Sequence, residues 1–149
     1  MHNPLKTQRS TDIGLLLARL PLGVMFVIAG CNKFVAAGGF EKFAADSAAL
    51  VPTWVQKVQY SQPVMHYYLL ALPFLEIIGG LLIVLGLLTR LGGFICSMLL
   101  VSIILATSSF HTANVPHANL IFLSLTLLLF LNGGGRISLD GLFWGKKGE

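Results

Sequence analysis

The sequence predicts an all-α fold: an integral membrane four-helix bundle with an extracytoplasmic amphipathic helix between helices one and two. Three observations lead there. Of the 149 residues, 55% are hydrophobic and only 11% charged, with a mean hydropathy of +0.80. A soluble domain carries about 25% charge, so this chain has too little polar surface to cover itself, and lipid must cover the rest. Four apolar segments stand out, at 13–34, 67–88, 91–110 and 115–131. At helical rise the first three each span ~30 Å, the hydrocarbon thickness, and the fourth ~25 Å. Finally, a chain crossing lipid must satisfy its own backbone hydrogen bonds, and runs of this length do so as helices rather than as barrel strands. The whole chain, 1–149, reads as one such domain.

Helix one follows Lys6 and Arg9 and contains Arg19 and Lys33. Its Ile28-Ala29-Gly30-Cys31 stretch resembles the cleavage box of bacterial lipoproteins, but Arg19 inside the apolar run argues for a retained span. In the loop 35–66, Phe40, Phe43, Ala44 and Leu50 fall on one side of a helix, with Glu41, Lys42 and Asp46 elsewhere. That pattern predicts a helix lying on the outer leaflet and closing the bundle, or else a docking surface for an extracytoplasmic partner. Trp54, Tyr60, Tyr67 and Tyr68 supply an interfacial aromatic belt. Helix two carries Glu76, and Arg90 is expected in the tight turn to helix three. Asn114 and Pro116 mark the start of helix four as cap and first-turn proline. Gly133 to Gly135 follow that helix and read as its C-terminal cap and a chain reversal, and Trp144, Lys146 and Lys147 as an interfacial anchor.

If the helices alternate, Lys6, Arg9, Arg90, Arg136, Lys146 and Lys147 share one side of the membrane, while Lys33, Lys42 and Lys57 on the other are offset by Glu41 and Asp46. The positive-inside rule then places both termini of this multi-pass chain in the cytoplasm. The net charge of +4 is accounted for as topology signal and calls for no nucleic-acid partner.

Glu76 is the residue that most needs explaining. A charge at mid-bilayer costs ~3 kcal/mol, so it faces the bundle interior and finds a partner, or stays protonated. Arg19 and Lys33 lie 14 residues apart on helix one, and Glu76 and Arg90 are spaced likewise, so each pair follows one stripe. Gly23 and Gly30 share the first stripe and Gly79 and Gly80 flank the second, which predicts that the two stripes face each other. From the inner end Arg19 lies at ~9 Å, Glu76 at ~18 Å and Lys33 at ~30 Å. Arg19, stranded in hydrocarbon, is the expected partner, because Lys33 can snorkel to the outer interface.

Ser97, Ser108 and His111 on helix three, with Asn119 and Thr126 on helix four, extend the polar seam. It serves either as interhelical hydrogen bonding, worth ~0.6 kcal/mol per pair, or as a cavity for a quinone-like ligand or a proton path. Cys31 and Cys96 differ in depth by ~15–20 Å, too far for a disulfide, and read as packing residues. His111 and His117 lie at helix ends near water, which favours an interfacial role over metal ligation, so no metal site is expected. Gly133 to Gly135 follow a helix rather than a strand and make no phosphate loop.

Arg19, then Gly30-Cys31-Asn32-Lys33, then Glu76 with Gly79-Gly80 and Leu85-Gly86-Leu87-Leu88-Thr89-Arg90, and finally Gly133-Gly134-Gly135-Arg136-Ile137-Ser138-Leu139-Asp140, together resemble the DoxX family. The resemblance runs from about Leu15 to Asp140 and rests on the four elements in order. It implies a four-helix prokaryotic membrane protein, often a small subunit beside an oxidoreductase. Relatives include the small subunit of an archaeal thiosulfate:quinone oxidoreductase, and related proteins accompany methylamine oxidation and oxidative-stress complexes. Arg19, Lys33, Glu76 and Arg90 match family pattern positions to which no established catalytic role is attached. No flavin, nicotinamide or metal motif is present, so any redox centre comes from a partner and quinone is the implied small molecule. The expectation is a non-catalytic subunit of a quinone-linked assembly that anchors partner proteins in the bilayer. A purely structural accessory protein, whose buried charges only fix helix packing, is the alternative.

Overall fold

The computed structural model describes residues 4–35, 38–49, 61–108 and 117–144, with side chains over 10–35, 38–46, 64, 66–105 and 118–143. Among these residues every regular element is helical: α1 (Pro4–Val35), α2 (Gly39–Ala49), α3 (Ser61–Leu85), α4 (Thr89–Ser108), α5 (His117–Asn132) and α6 (Leu139–Trp144). Within α1 and α3, Ser10–Val35 and His66–Leu85 are long and apolar enough to cross a membrane, whereas the apolar parts of α4 and α5, Thr89–Leu105 and Ala118–Asn132, are shorter.

The chain reverses between α3 and α4 earlier than the hydrophobic run suggests. Gly86 takes φ 66° and Leu88 φ 47°, which breaks the helix after Leu85. Arg90 therefore belongs to the first turn of α4 rather than to the turn itself. The proposed stripe from Glu76 to Arg90 is cut in two. At the end of α5, Gly133 adopts φ 76° and its amide donates to Leu129 O at 2.8 Å, the expected C-terminal cap.

α1 packs along α3, α3 along α4 and α4 along α5, while α2 rests on α1 and α3. Leu15, Leu22, Phe26, Ile83, Cys96, Leu100 and Leu129 form the core. Large apolar side chains on the outside, such as Leu17, Ile28, Ile78, Met98 and Leu131, are exposed. In water that surface would be unfavourable, but it suits acyl chains.

Two double glycines set the interhelical spacing. A Cβ on Gly80 would stand 2.7 Å from Gly23 O, and one on Gly23 would stand 2.8 Å from Gly80 O, so α1 and α3 touch backbone to backbone. Gly30 meets Pro73 and Ile77 further along the same contact. Gly79, however, does not face α1. A Cβ there would meet Cys96 Sγ at 2.7 Å, on α4. Gly92 likewise meets Gly79 O, while Gly93 meets Phe130 N and Thr126 O of α5. Adjacent helical residues point about 100° apart, so each pair of glycines lets one helix approach two neighbours at once.

Candidate functional site

Lys33 Nζ donates to Glu76 Oε2, an ion pair joining α1 to α3. The Glu76 side chain is only 4% exposed, and that of Lys33 21%. Lys33 also donates to Ala29 O, one turn back, at 3.4 Å. The expected Arg19–Glu76 pair does not form. Depth measured at Cα is the wrong guide, because every helical side chain leans toward its own N-terminus. α1 and α3 run antiparallel, so Lys33 leans down toward Glu76 while Glu76 leans up toward Lys33. Arg19 leans the same way as Lys33 but starts on the other side of Glu76, so its lean carries it out of reach.

Above the pair sits a roof of four phenylalanines. Phe34 of α1 stacks on Phe40 of α2 at 5.2 Å between centroids and meets Phe74 of α3 edge-on at 5.1 Å. Phe40 in turn contacts Phe43 and Phe74. Lys33 Nζ lies 5.6 Å from the Phe43 centroid, within cation–π range. α2 buries Ala44 and half-buries Phe40 and Phe43, leaving Glu41, Lys42 and Asp46 exposed. The result is a charged pair enclosed by rings, with the ammonium as its more accessible partner.

Two further polar pairs bridge neighbouring helices. Tyr68 of α3 hydrogen-bonds Ser102 of α4, and Ser97 Oγ of α4 donates to Thr126 Oγ1 of α5 at 2.9 Å. Ser97 Oγ also lies 2.7 Å from Gly93 O, so its single proton is shared between its own helix and Thr126. Asn119 is half-buried near the start of α5. The side chains of Ser108 and His117, and all of His111, lie outside the described residues, as do Trp54, Tyr60, Asn114 and Pro116. Cys31 is exposed and Cys96 buried, and both are free thiols.

Arg19 serves the opposite end of α1. It is 4% exposed, and it donates from Nη1 to Gly134 O at 3.1 Å and from Nη2 to Ile137 O at 2.5 Å. Its Nε, like Thr89 Oγ1, has no hydrogen-bond partner, so its hydrogen bonds come from the two Nη groups, with the Asp140 carboxylate acting on it as a nearby opposite charge. Arg90 is exposed beside Gly133 and takes no part in the Lys33–Glu76 pair. Ser138 opens α6, its Oγ accepting from Gly141 N at 3.0 Å.

Asp140 then closes the junction. Its Oδ1 accepts from Leu88 N at 2.7 Å, its Oδ2 from Thr89 N at 2.8 Å, and its own amide donates to Gly86 O at 2.8 Å. A carboxylate from α6 therefore caps α4, and Asp12 Oδ1 accepts a further bond from Arg136 N at 3.0 Å. Replacing Asp140 with Ala is expected to cost about 1–2 kcal/mol, and Asn less, because Asn keeps one acceptor. Unfolding of the detergent-solubilised variants measures this, and equal stability of the Ala variant and the parent would refute the capping role.

Sequence reasoning missed Asp12, Asp140 and Ser102 as contacts. Tyr68 carried a usable signal, since Tyr68, Leu72 and Glu76 recur every four residues on the buried side of α3. The two aspartates carried none, because their partners are backbone amides in distant loops.

The motifs at Gly86–Arg90 and Gly133–Asp140, far apart in sequence, thus meet around Arg19. The DoxX family profile matches residues 14–112. The chain belongs to the DoxX family. It is also similar to a Bacillus subtilis protein described as "Putative oxidoreductase CatD", at 30% identity over 142 residues, covering 93% of this chain and 94% of the relative. No solved structure matches it. This DoxX protein is accordingly a helical membrane protein with a relative named as an oxidoreductase. Among its described residues no group of three or more His, Cys, Asp or Glu is placed to hold a metal.

Proposed function

We propose that this DoxX protein is a small membrane subunit of a quinone-linked oxidoreductase, and that the Lys33–Glu76 pair under its phenylalanine roof is where the quinone headgroup binds. The whole chain acts as one membrane domain. All four long helices cross the inner membrane, both termini are cytoplasmic, and α2 lies on the outer leaflet beside the partner subunits that the bundle anchors.

The observation that carries this reading is a buried ion pair with one partly accessible cation among aromatic rings. An ammonium donates to a quinone carbonyl, and phenylalanine faces stack on a quinone ring. Reduction of a quinone takes two electrons and two protons. The partner's redox centre supplies the electrons, and Glu76 with Lys33 relays protons to the carbonyl oxygens. The name of the Bacillus subtilis relative agrees with a redox setting.

The test uses the protein with its co-purified partner subunits. In a Glu76→Gln variant that retains those partners and its parental melting temperature, quinone reduction is expected to fall at least ~100-fold, the scale of a lost proton-transfer group. An unchanged rate would remove the pair from the chemistry.

The second reading, an accessory protein without a role in catalysis, has its own support. Lys33–Glu76, Tyr68–Ser102 and Ser97–Thr126 each join two neighbouring helices and satisfy each other. Such pairs hold a bundle in register whether or not a ligand enters.

A further inference from the structure

Where α3 passes to α4, an open groove of about 630 Å³ runs between the first turn of α4, the loop after α5, and α6. Leu88 and Leu91 make an apolar wall, Asn132 and Gly133 face it, and Arg90 and Asp140 supply the charges. Ile137, Leu142 and Phe143, in the loop and helix that contribute Gly135, Asp140 and Gly141 to the groove, are exposed. The groove lies at the ends of α3 and α4, which is the height of the lipid headgroups if those helices span the membrane.

The two charges are the informative feature. Among the described residues Arg90 and Asp140 form no ion pair, although they line one groove. Asp140 is held in place by the amides of Leu88 and Thr89, each of its oxygens accepting one bond. An ionised carboxylate offers about four acceptor positions, so it can still receive an ammonium. Arg90 is exposed, and its planar fork suits a phosphate.

A cation and an anion held apart beside a leucine wall match a molecule with a dipolar head and an apolar tail. We infer that the groove seats the headgroup of a phospholipid bearing a primary amine: its phosphate bonds Arg90, its ammonium bonds Asp140, and an acyl chain lies along Leu88 and Leu91. An anionic headgroup would set a second negative group against the Asp140 carboxylate in the same groove and bring no ammonium to meet it. A soluble phosphate ester would leave the leucines wet. This site is separate from the Lys33–Glu76 pair and owes nothing to the quinone reading.

The experiment is native mass spectrometry of the full chain in detergent, titrated in turn with phosphatidylethanolamine, phosphatidylcholine, phosphatidylglycerol and soluble glycerophosphoethanolamine. One phosphatidylethanolamine per chain is expected to bind saturably. Phosphatidylcholine, whose trimethylammonium has no N–H to donate, is expected to bind about tenfold more weakly, as one lost charge-assisted bond implies. Arg90→Gln is expected to weaken phosphatidylethanolamine binding by about the same factor without moving the melting temperature, since the side chain is exposed. Equal binding of the ethanolamine and choline lipids would overturn the proposal, as would tighter binding of phosphatidylglycerol or an Arg90→Gln variant that binds like the parent. Glycerophosphoethanolamine binding as well as the lipid would remove the acyl chain from the site.

Discussion

Lys33→Met is expected to lower stability by about 3–5 kcal/mol, because it strands the Glu76 carboxylate, 4% exposed, with no counter-charge. Glu76→Leu should cost clearly less. It leaves Lys33, whose side chain already reaches solvent and is long enough to swing outward. Combining the two substitutions should restore most of the loss, since a buried pair replaced by apolar groups of similar size is often neutral or better. Chemical unfolding in mixed micelles orders the three variants. If the lysine and glutamate substitutions cost the same, the difference in access drawn from the geometry is wrong. The double variant also divides the two functional readings. A stable protein that keeps its partners and its quinone reduction is a scaffold, whereas a stable one that loses reduction has lost a working pair.

Gly80→Val is expected to cost about 3 kcal/mol or more and to disperse the solubilised protein into aggregates. The first added carbon would stand 2.7 Å from Gly23 O and 2.9 Å from Val27 N, which are backbone atoms that cannot rotate aside. The whole α1–α3 contact must open, and the Lys33–Glu76 pair with it. Gly14 is the internal control. Nothing stands within 4 Å of a Cβ there, so Gly14→Ala should be neutral or stabilise the helix by up to about 1 kcal/mol. Thermal melting followed by size-exclusion chromatography separates the cases. A Gly80→Val protein that elutes and melts like the parent would show that α1 and α3 do not meet as described.

Much of the architecture could be read from residues alone. The scarcity of charge, the length of the apolar runs and the order of four short motifs led to a helical membrane protein of the DoxX family. The capping glycine at 133 and the buried position of Glu76 were equally legible, since each follows from a local rule about backbone freedom or the cost of a charge in lipid. The partner of Glu76 was not. Sequence spacing gives the height of a Cα but not the direction in which the side chain leaves it, and in antiparallel helices those directions reverse. The turn at Gly86 to Leu88 was hidden for a related reason, because Leu88 takes an unfavourable φ and its amide is bonded by Asp140, 52 residues away.

Hydropathy and helical rise by themselves determined the solvent this protein lives in, its helical character and which residues must turn inward, because those depend on each residue's own transfer energy and on a fixed repeat. The tertiary structure alone decided who meets whom: Lys33 with Glu76, Gly79 with α4 rather than α1, Arg19 and Asp140 at the opposite end. Such choices depend on the relative direction and register of packed helices, which arise only when backbones touch.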